Sequence, residues 1–156
     1  MYEVKNGARI LRFEGEVLAT SSSKRPGSPR WIEFSLFKTD KGSYVLSRVG
    51  VSHVYHSSVC PLVGRYGLHE ASVDDLPPIA VPCEECEPDY SDPIIFPETF
   101  RHWTLVTDEP ETVLEALYKP DTRTNTKYLT RVAERLLEDA SRVDAAIDQA
   151  YRIEYI

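Results

Sequence analysis

Residues 54–86, VYHSSVCPLVGRYGLHEASVDDLPPIAVPCEEC, hold every cysteine of the chain and decide how its middle part can fold. They contain two short pairs of potential metal ligands, His56-x3-Cys60 and, after twenty-two further residues, Cys83-x2-Cys86. Each spacing lets both side chains of a pair reach one ion from a tight turn, and four nitrogen and sulfur ligands are typical of tetrahedral zinc. We therefore expect His56, Cys60, Cys83 and Cys86 to bind one structural Zn²⁺.

The histidines and cysteines of this stretch also allow alternative roles. His53 or His69 could replace His56 as the fourth ligand. The cysteines could also be small buried hydrophobic side chains, as free cysteines often are. A redox pair of Cys83 and Cys86 is disfavoured, because no βαβ pattern surrounds it and three neighbouring glutamates should raise the pKa of both thiols. These glutamates are Glu84, Glu85 and Glu87.

The first fifty residues have the composition of a small antiparallel sheet. Three runs rich in β-branched and aromatic residues predict strands at 10–20, 31–39 and 43–50. The turn residues Asp40-Lys41-Gly42 predict a hairpin between the second and third strands. The connection at 21–30, SSSKRPGSPR, predicts an exposed and mobile loop that is the most basic part of the chain.

The remainder divides into an irregular and a mainly helical part. Residues 51–98 are rich in proline and lack periodicity, so zinc is expected to hold them in place. A strand is predicted at 100–107, followed by a helix capped by Asp108, with Glu111 three residues later and Pro110 in its first turn. The apolar face of this helix is expected to consist of Val113, Leu114 and Leu117. Residues 129–140 show the clearest helical periodicity, Asp144 is a further candidate cap, and the tail at 152–156 could add an edge strand. The fold class is thus α+β in a single domain, 1–156, with parts at 1–50, 51–98 and 99–156.

Charge and composition limit the partners. The net charge is −7, but residues 1–50 carry nine basic against five acidic side chains, while residues 84–156 carry eight against seventeen. An acidic half repels phosphate backbones, so nucleic acid could bind only through the first fifty residues. We find no secretory signal and no membrane-spanning run, and an odd number of cysteines suits reduced thiols, so a cytoplasmic protein without membrane contact is expected.

The arrangement YHSSVC, ASVDDLP and VPCEECEP resembles the zinc module at the N-terminus of Ada-type DNA-repair methyltransferases. That pattern has a ligand pair spaced x3, an irregular segment, and a CxxC followed by a basic residue and proline. In the family all four ligands are cysteines, and the first accepts a methyl group from a DNA phosphotriester. His56 stands at that position here and Glu87 replaces the basic residue, so the resemblance over residues 54–88 implies a zinc-bound shape without methyl transfer.

These observations favour a zinc-stabilised binding or accessory module that acts through a protein partner. The main alternative is a nucleic-acid-binding protein that uses the basic loop with an aromatic side chain at its base. Its residues would be Lys24, Arg25, Arg30 and Trp31. A cysteine-dependent enzyme is a second alternative, disfavoured because four protein ligands leave zinc no open position for an activated water. We predict no catalytic residue.

Overall fold

The computed structural model describes residues 1–61, 70–71, 74, 76–88, 94–95, 98–154 and 156. Its described part is α+β: strands, mostly antiparallel, occupy the first part of the chain, and the helices lie towards the C-terminal end, as predicted. The elements are β1 (Tyr2–Asn6), β2 (Arg9–Phe13), β3 (Gly15–Ser22), β4 (Arg30–Thr39), β5 (Tyr44–Ser57), β6 (Glu70–Ala71), β7 (Val81–Pro82), β8 (Ile94–Ile95), β9 (Glu98–Thr107), α1 (Pro110–Leu117), β10 (Lys119–Asp121), β11 (Thr126–Tyr128), α2 (Arg131–Ser141) and α3 (Ala145–Arg152).

The chain divides into two units, which we call the sheet–helix unit and the cysteine unit. The sheet–helix unit consists of Met1–Ser23, Glu33–Val49 and His102–Ile156. The cysteine unit consists of Lys24–Ile32 and Gly50–Arg101, and it contains all three cysteines and the basic loop. Folding of residues 1–156 as a single domain stays a prediction.

The strands of the sheet–helix unit extend the predicted pattern. The predicted strand at 10–20 is interrupted at Glu14, and its first half pairs as β2 with β1, which was not predicted. β3 pairs antiparallel with β4, and Gly15 lies opposite Thr39. The predicted hairpin between β4 and β5 is confirmed: Gly42 has a φ of +91° and donates its N–H to the carbonyl of Thr39.

The helices bury the faces that their periodicity predicted. α1 buries Val113, Leu114 and Leu117, and α2 packs against β3 and α3. Residues buried on α2 are Val132, Ala133, Leu136, Leu137 and Ala140. Amphipathic spacing at i, i+3 and i+4 therefore identified the core side of both helices.

The caps agree with the sequence only in part. Asp144 caps α3, and its Oδ1 accepts the N–H of Ile147 at 2.9 Å. The predicted cap of α1 by Asp108 is wrong: the N-cap is Glu109, and Asp108 instead accepts a hydrogen bond from Ser43. Pro110 nevertheless begins the helix, where its missing N–H leaves no intrahelical bond unmade.

Two further features of the C-terminal part differ from the sequence prediction. A short hairpin, β10 with β11, lies between α1 and α2, where no strand was predicted. The predicted edge strand at 152–156 is not formed at Ile153 and Glu154: α3 continues to Arg152, and neither of these two residues is in a strand. The strands of the β10–β11 hairpin have three residues each, too few for periodicity to show.

Candidate metal centre

β5 delivers the histidine of the cluster. It continues to Ser57, seven residues beyond the predicted end at residue 50, so His56 belongs to a strand and not to irregular chain. Successive side chains of a strand point to opposite faces. Val54 accordingly packs with Cys60, Cys83 and Ile95, whereas Tyr55 packs on the other face with residues that include Ile94 and Leu76.

Cys60 follows from the end of this strand. The N–H of Cys60 donates to the carbonyl of Ser57 at 3.1 Å, which turns the chain directly after β5. The turn brings the Cys60 sulfur to 3.3 Å from Nδ1 of His56. The x3 spacing thus results from one strand residue followed by one tight turn.

The second ligand pair lies beside the same strand. β7 pairs in parallel with β5, with Val54 opposite Val81, and the N–H of Cys83 extends the pairing to the carbonyl of Tyr55 at 2.9 Å. The chain then turns through Cys86, and the N–H of Glu87 donates to the carbonyl of Cys83 at 3.0 Å. Glu87 has a φ of +44°, a conformation that a non-glycine residue adopts at some cost. Both cysteines therefore lie on one turn, residues 83–87, which we call the knuckle.

The four predicted ligands meet at one point. One nitrogen or sulfur atom from each of four residues lies within 4.8 Å of the others. Ideal bond lengths of about 2.3 Å to sulfur and 2.0–2.1 Å to nitrogen put the ligand atoms of a zinc tetrahedron roughly 3.5–3.8 Å apart. The cluster therefore needs to contract by about one ångström at most to hold such an ion. Its members are His56, Cys60, Cys83 and Cys86.

Burial and local charge favour the ligand forms of two side chains. Burial lowers the pKa of His56, Arg30 acts in the same direction, and Glu85 opposes both, so the imidazole stays neutral and able to coordinate a metal. At Cys86 burial acts to raise the pKa, but hydrogen bonds from Ser57 and from the two other thiols outweigh it. The pKa of Cys86 therefore lies below its ordinary value.

For Cys86, this lowered pKa corrects the expectation that the neighbouring glutamates raise the pKa of the thiol. Glu84, Glu85 and Glu87 are exposed, so solvent screens their charges. The N–H of Ser57, in contrast, lies only 3.3 Å from the Cys86 sulfur and stabilises the thiolate directly. The sequence could not reveal this donor, because every residue except proline carries a backbone N–H.

His53, one of the two alternative ligands, is not part of the cluster. His53 lies on the same strand as His56, but its ring faces Trp31 at a centroid distance of 5.3 Å. His69 lies outside the described residues. Of the two candidate histidines that the structure describes, His56 is the one placed with the cysteines.

The basic loop belongs to the same unit as the cysteines. Lys24, Arg25 and Arg30 are exposed, whereas Trp31 is buried, with 8% of its surface accessible. The Lys24 amine lies 4.7 Å from the centre of the Trp31 ring, and the N–H of His53 donates to the carbonyl of Pro29 at 2.7 Å. Stacking of Trp31 on a nucleic-acid base would therefore require the ring to leave its packing.

Comparisons with protein-family models, curated proteins and solved structures found no match. The resemblance to the Ada-type zinc module accordingly stays a prediction. Among the described residues, none of the helices combines the length and apolar character needed to cross a membrane.

Proposed function

We propose that this protein is a non-enzymatic binding or accessory module of the cytoplasm whose cysteine unit is stabilised by a structural zinc ion. The convergence of four nitrogen and sulfur ligand atoms within 4.8 Å carries the proposal. The partner in this proposal is another protein.

The chemistry of the ligands favours zinc. Three sulfurs and one imidazole nitrogen form a soft donor set that suits tetrahedral Zn²⁺ and not magnesium or calcium, which prefer oxygen. Four protein ligands complete a tetrahedral shell and leave no position for an activated water. The ion is therefore structural in this proposal. A structural role agrees with the zinc-bound shape that the resemblance to the Ada-type module implies. It also agrees with His56 at the position of that module's methyl-accepting cysteine, because a histidine there implies no methyl transfer.

The position of the ligands indicates what the ion would stabilise. It would join the end of β5 to the knuckle after β7, two segments that pair directly through only two strand residues each. Such short pairing contributes little by itself, whereas metal binding contributes on the order of 10 kcal/mol of folding free energy in small zinc peptides. The metal would thus be the main link within this part of the cysteine unit.

Elemental analysis of protein purified without a histidine tag tests the site. We expect one zinc per chain in the wild type and loss of zinc in Cys86→Ser, which removes one ligand while nearly conserving side-chain volume. Ser58→Ala, at an exposed position between the ligands His56 and Cys60, is the matched control and should retain zinc. A wild type without zinc, or a Cys86→Ser variant that retains it fully, would contradict the proposal.

Charge supports a protein partner over nucleic acid. The net charge is −7 and the sequence pI about 5.1, whereas nucleic-acid-binding domains commonly have values above about 9. Burial of Trp31 further removes the stacking group on which the nucleic-acid alternative depends.

Salt-dependent binding separates the two alternatives. We expect negligible binding of single- and double-stranded DNA or RNA at 0.15 M salt, an ionic strength at which the Debye length is about 8 Å. Binding that weakens steeply with salt, and that disappears in a variant with Lys24, Arg25 and Arg30 all changed to Ala, would establish the nucleic-acid alternative instead.

A further inference from the structure

The three thiols of the chain are within reach of one another but differ in their access to solvent. Cys60 and Cys83 are buried, with 5% and 4% of their surfaces accessible, whereas Cys86 is partly exposed. The Cys86 sulfur also accepts a hydrogen bond from the N–H of Ser57 at 3.3 Å, and the thiols of Cys60 and Cys83 contact it. An oxidant arriving from solvent therefore meets Cys86 first, with a second thiol already beside it.

We propose that the Cys83–Cys86 turn is an oxidation site at which a hydroperoxide forms a disulfide and thereby releases the metal. This inference rests on the proposed zinc site and adds a form of regulation to it. Access to solvent and a neighbouring resolving thiol are two of the features that redox-sensitive cysteines share.

The reaction proceeds in two displacements. The Cys86 thiolate attacks one oxygen of hydrogen peroxide; the O–O bond breaks, hydroxide leaves and a sulfenic acid forms on Cys86. The Cys83 thiolate then attacks that sulfur; the S–O bond breaks, a second hydroxide leaves and the S–S bond forms. In total the two thiolates lose two electrons, and these electrons reduce one hydrogen peroxide to two hydroxide ions.

Cys83 is a better resolving residue than Cys60 because of where the two lie. Cys83 and Cys86 occupy one turn, closed by the N–H of Glu87 on the carbonyl of Cys83. Joining them closes a very short loop and moves no distant segment. Cys60 lies on another segment, with its sulfur 3.3 Å from the imidazole of His56. After oxidation only His56 and Cys60 remain as ligands, too few to retain zinc in a closed tetrahedral shell.

The test uses the zinc-loaded full chain treated with hydrogen peroxide. Released zinc is measured with a colorimetric chelator, and disulfides are mapped by mass spectrometry of peptides prepared without reductant. We expect loss of one zinc per disulfide formed, a bond between Cys83 and Cys86, and recovery of zinc binding after reduction and addition of zinc. Retention of zinc by the treated wild type, or a main product that joins Cys60 to another cysteine, would overturn the inference.

Two histidine substitutions form a matched pair. Cys86→His and Cys60→His both leave a four-ligand set of two sulfurs and two nitrogens, which zinc accepts. Only Cys60→His retains the Cys83–Cys86 pair, so we expect it to lose zinc to peroxide while Cys86→His retains zinc at the same dose. Equal rates of loss in the two variants would count against the inference. If a variant binds no zinc, the wild-type disulfide map decides the question alone, and a wild type without zinc before oxidation would instead refute the proposed function.

Discussion

The Asp144 carboxylate should be among the most sensitive positions of the sheet–helix unit. Its side chain is 4% exposed and accepts three hydrogen bonds, from the Lys38 amine at 3.0 Å, the Tyr44 hydroxyl at 2.9 Å and the Ile147 N–H at 2.9 Å. Asp144→Ala removes both acceptor oxygens, and with them all three hydrogen bonds, while leaving the donors in place. The substitution therefore leaves polar groups without partners in addition to removing a helix cap.

The expected loss can be estimated donor by donor. Loss of an N-cap side chain costs about 0.5–2 kcal/mol. The buried Tyr44 hydroxyl, left without an acceptor, adds about 1–3 kcal/mol. Lys38 adds little, at most about 1 kcal/mol, because 35% of its side chain is exposed and water can solvate the amine. We therefore expect Asp144→Ala to lower the free energy of unfolding by about 1.5–6 kcal/mol.

Urea unfolding followed by circular dichroism, with zinc present, measures the difference between variants. Asp148→Ala is the matched control on the same helix, because it removes only an exposed ion pair with Arg152 and should cost at most about 0.5 kcal/mol. Tyr44→Phe combined with Asp144→Ala should recover part of the loss, since the unpaired hydroxyl is then absent. An Asp144→Ala variant no less stable than Asp148→Ala would refute the reasoning.

Single features of the structure lead to four more predictions. The pKa of Asp144 in the folded state is lowered despite its burial. Its contribution to stability is therefore present above the unfolded pKa of about 3.9 and is lost as the pH falls towards the folded value. The free energy of unfolding, measured over a series of acidic pH values, should show this loss in the wild type and not in Asp144→Ala. Gly15→Ala would place a Cβ 2.2 Å from the Lys38 carbonyl oxygen. The substitution should therefore lower the free energy of unfolding by about 1–3 kcal/mol. An unchanged urea midpoint would exclude this close approach. Leu136→Ala, at a fully buried position of α2, should lower the free energy of unfolding by about 2–5 kcal/mol. Glu138→Ala, at an exposed position of the same helix, should change it by at most about 0.5 kcal/mol. Equal losses in the two variants would place Leu136 outside the core. If the proposed zinc ion is bound, its chelation at neutral pH should accelerate hydrogen exchange at the amides of Cys83 and Glu87, with little change in α2. Unchanged exchange at both amides would show that no metal holds the knuckle.

The sequence predicted the elements in which apolar residues recur at a regular spacing, and the sites that need particular residue types. Apolar spacing identified the buried faces of α1 and α2, and the turn residues at 40–42 identified the hairpin between β4 and β5. The short spacings within each ligand pair identified four residues that the structure brings together across twenty-two intervening positions. In each case the residue type itself limits the possible structures.

The sequence could not predict features that depend on distant backbone. β5 continues to Ser57 because the two-residue strands β7 and β8 pair with its end, and such short strands have no detectable periodicity. The hydrogen bond from the Ser57 N–H to Cys86 likewise involves a backbone group, which almost any residue type could supply. Burial of Trp31 depends on Lys24 and His53, of which His53 lies twenty-two positions away along the chain.

The candidate metal centre lies where the described strand pairing is short. The end of β5 pairs with β7 and β8 over two residues each, and among the described residues the apolar cluster around Val54 consists of Cys60, Cys83 and Ile95, with Cys86 packed against it. Ordering this backbone costs conformational entropy, which a bound metal would help to offset. A metal bound by one ligand from the strand, one from the following turn and two from the knuckle would supply the missing free energy at that position. If the knuckle depends on the ion in this way, removal of a single sulfur from the ligand set would loosen it, and oxidation there would affect residues beyond the two cysteines themselves.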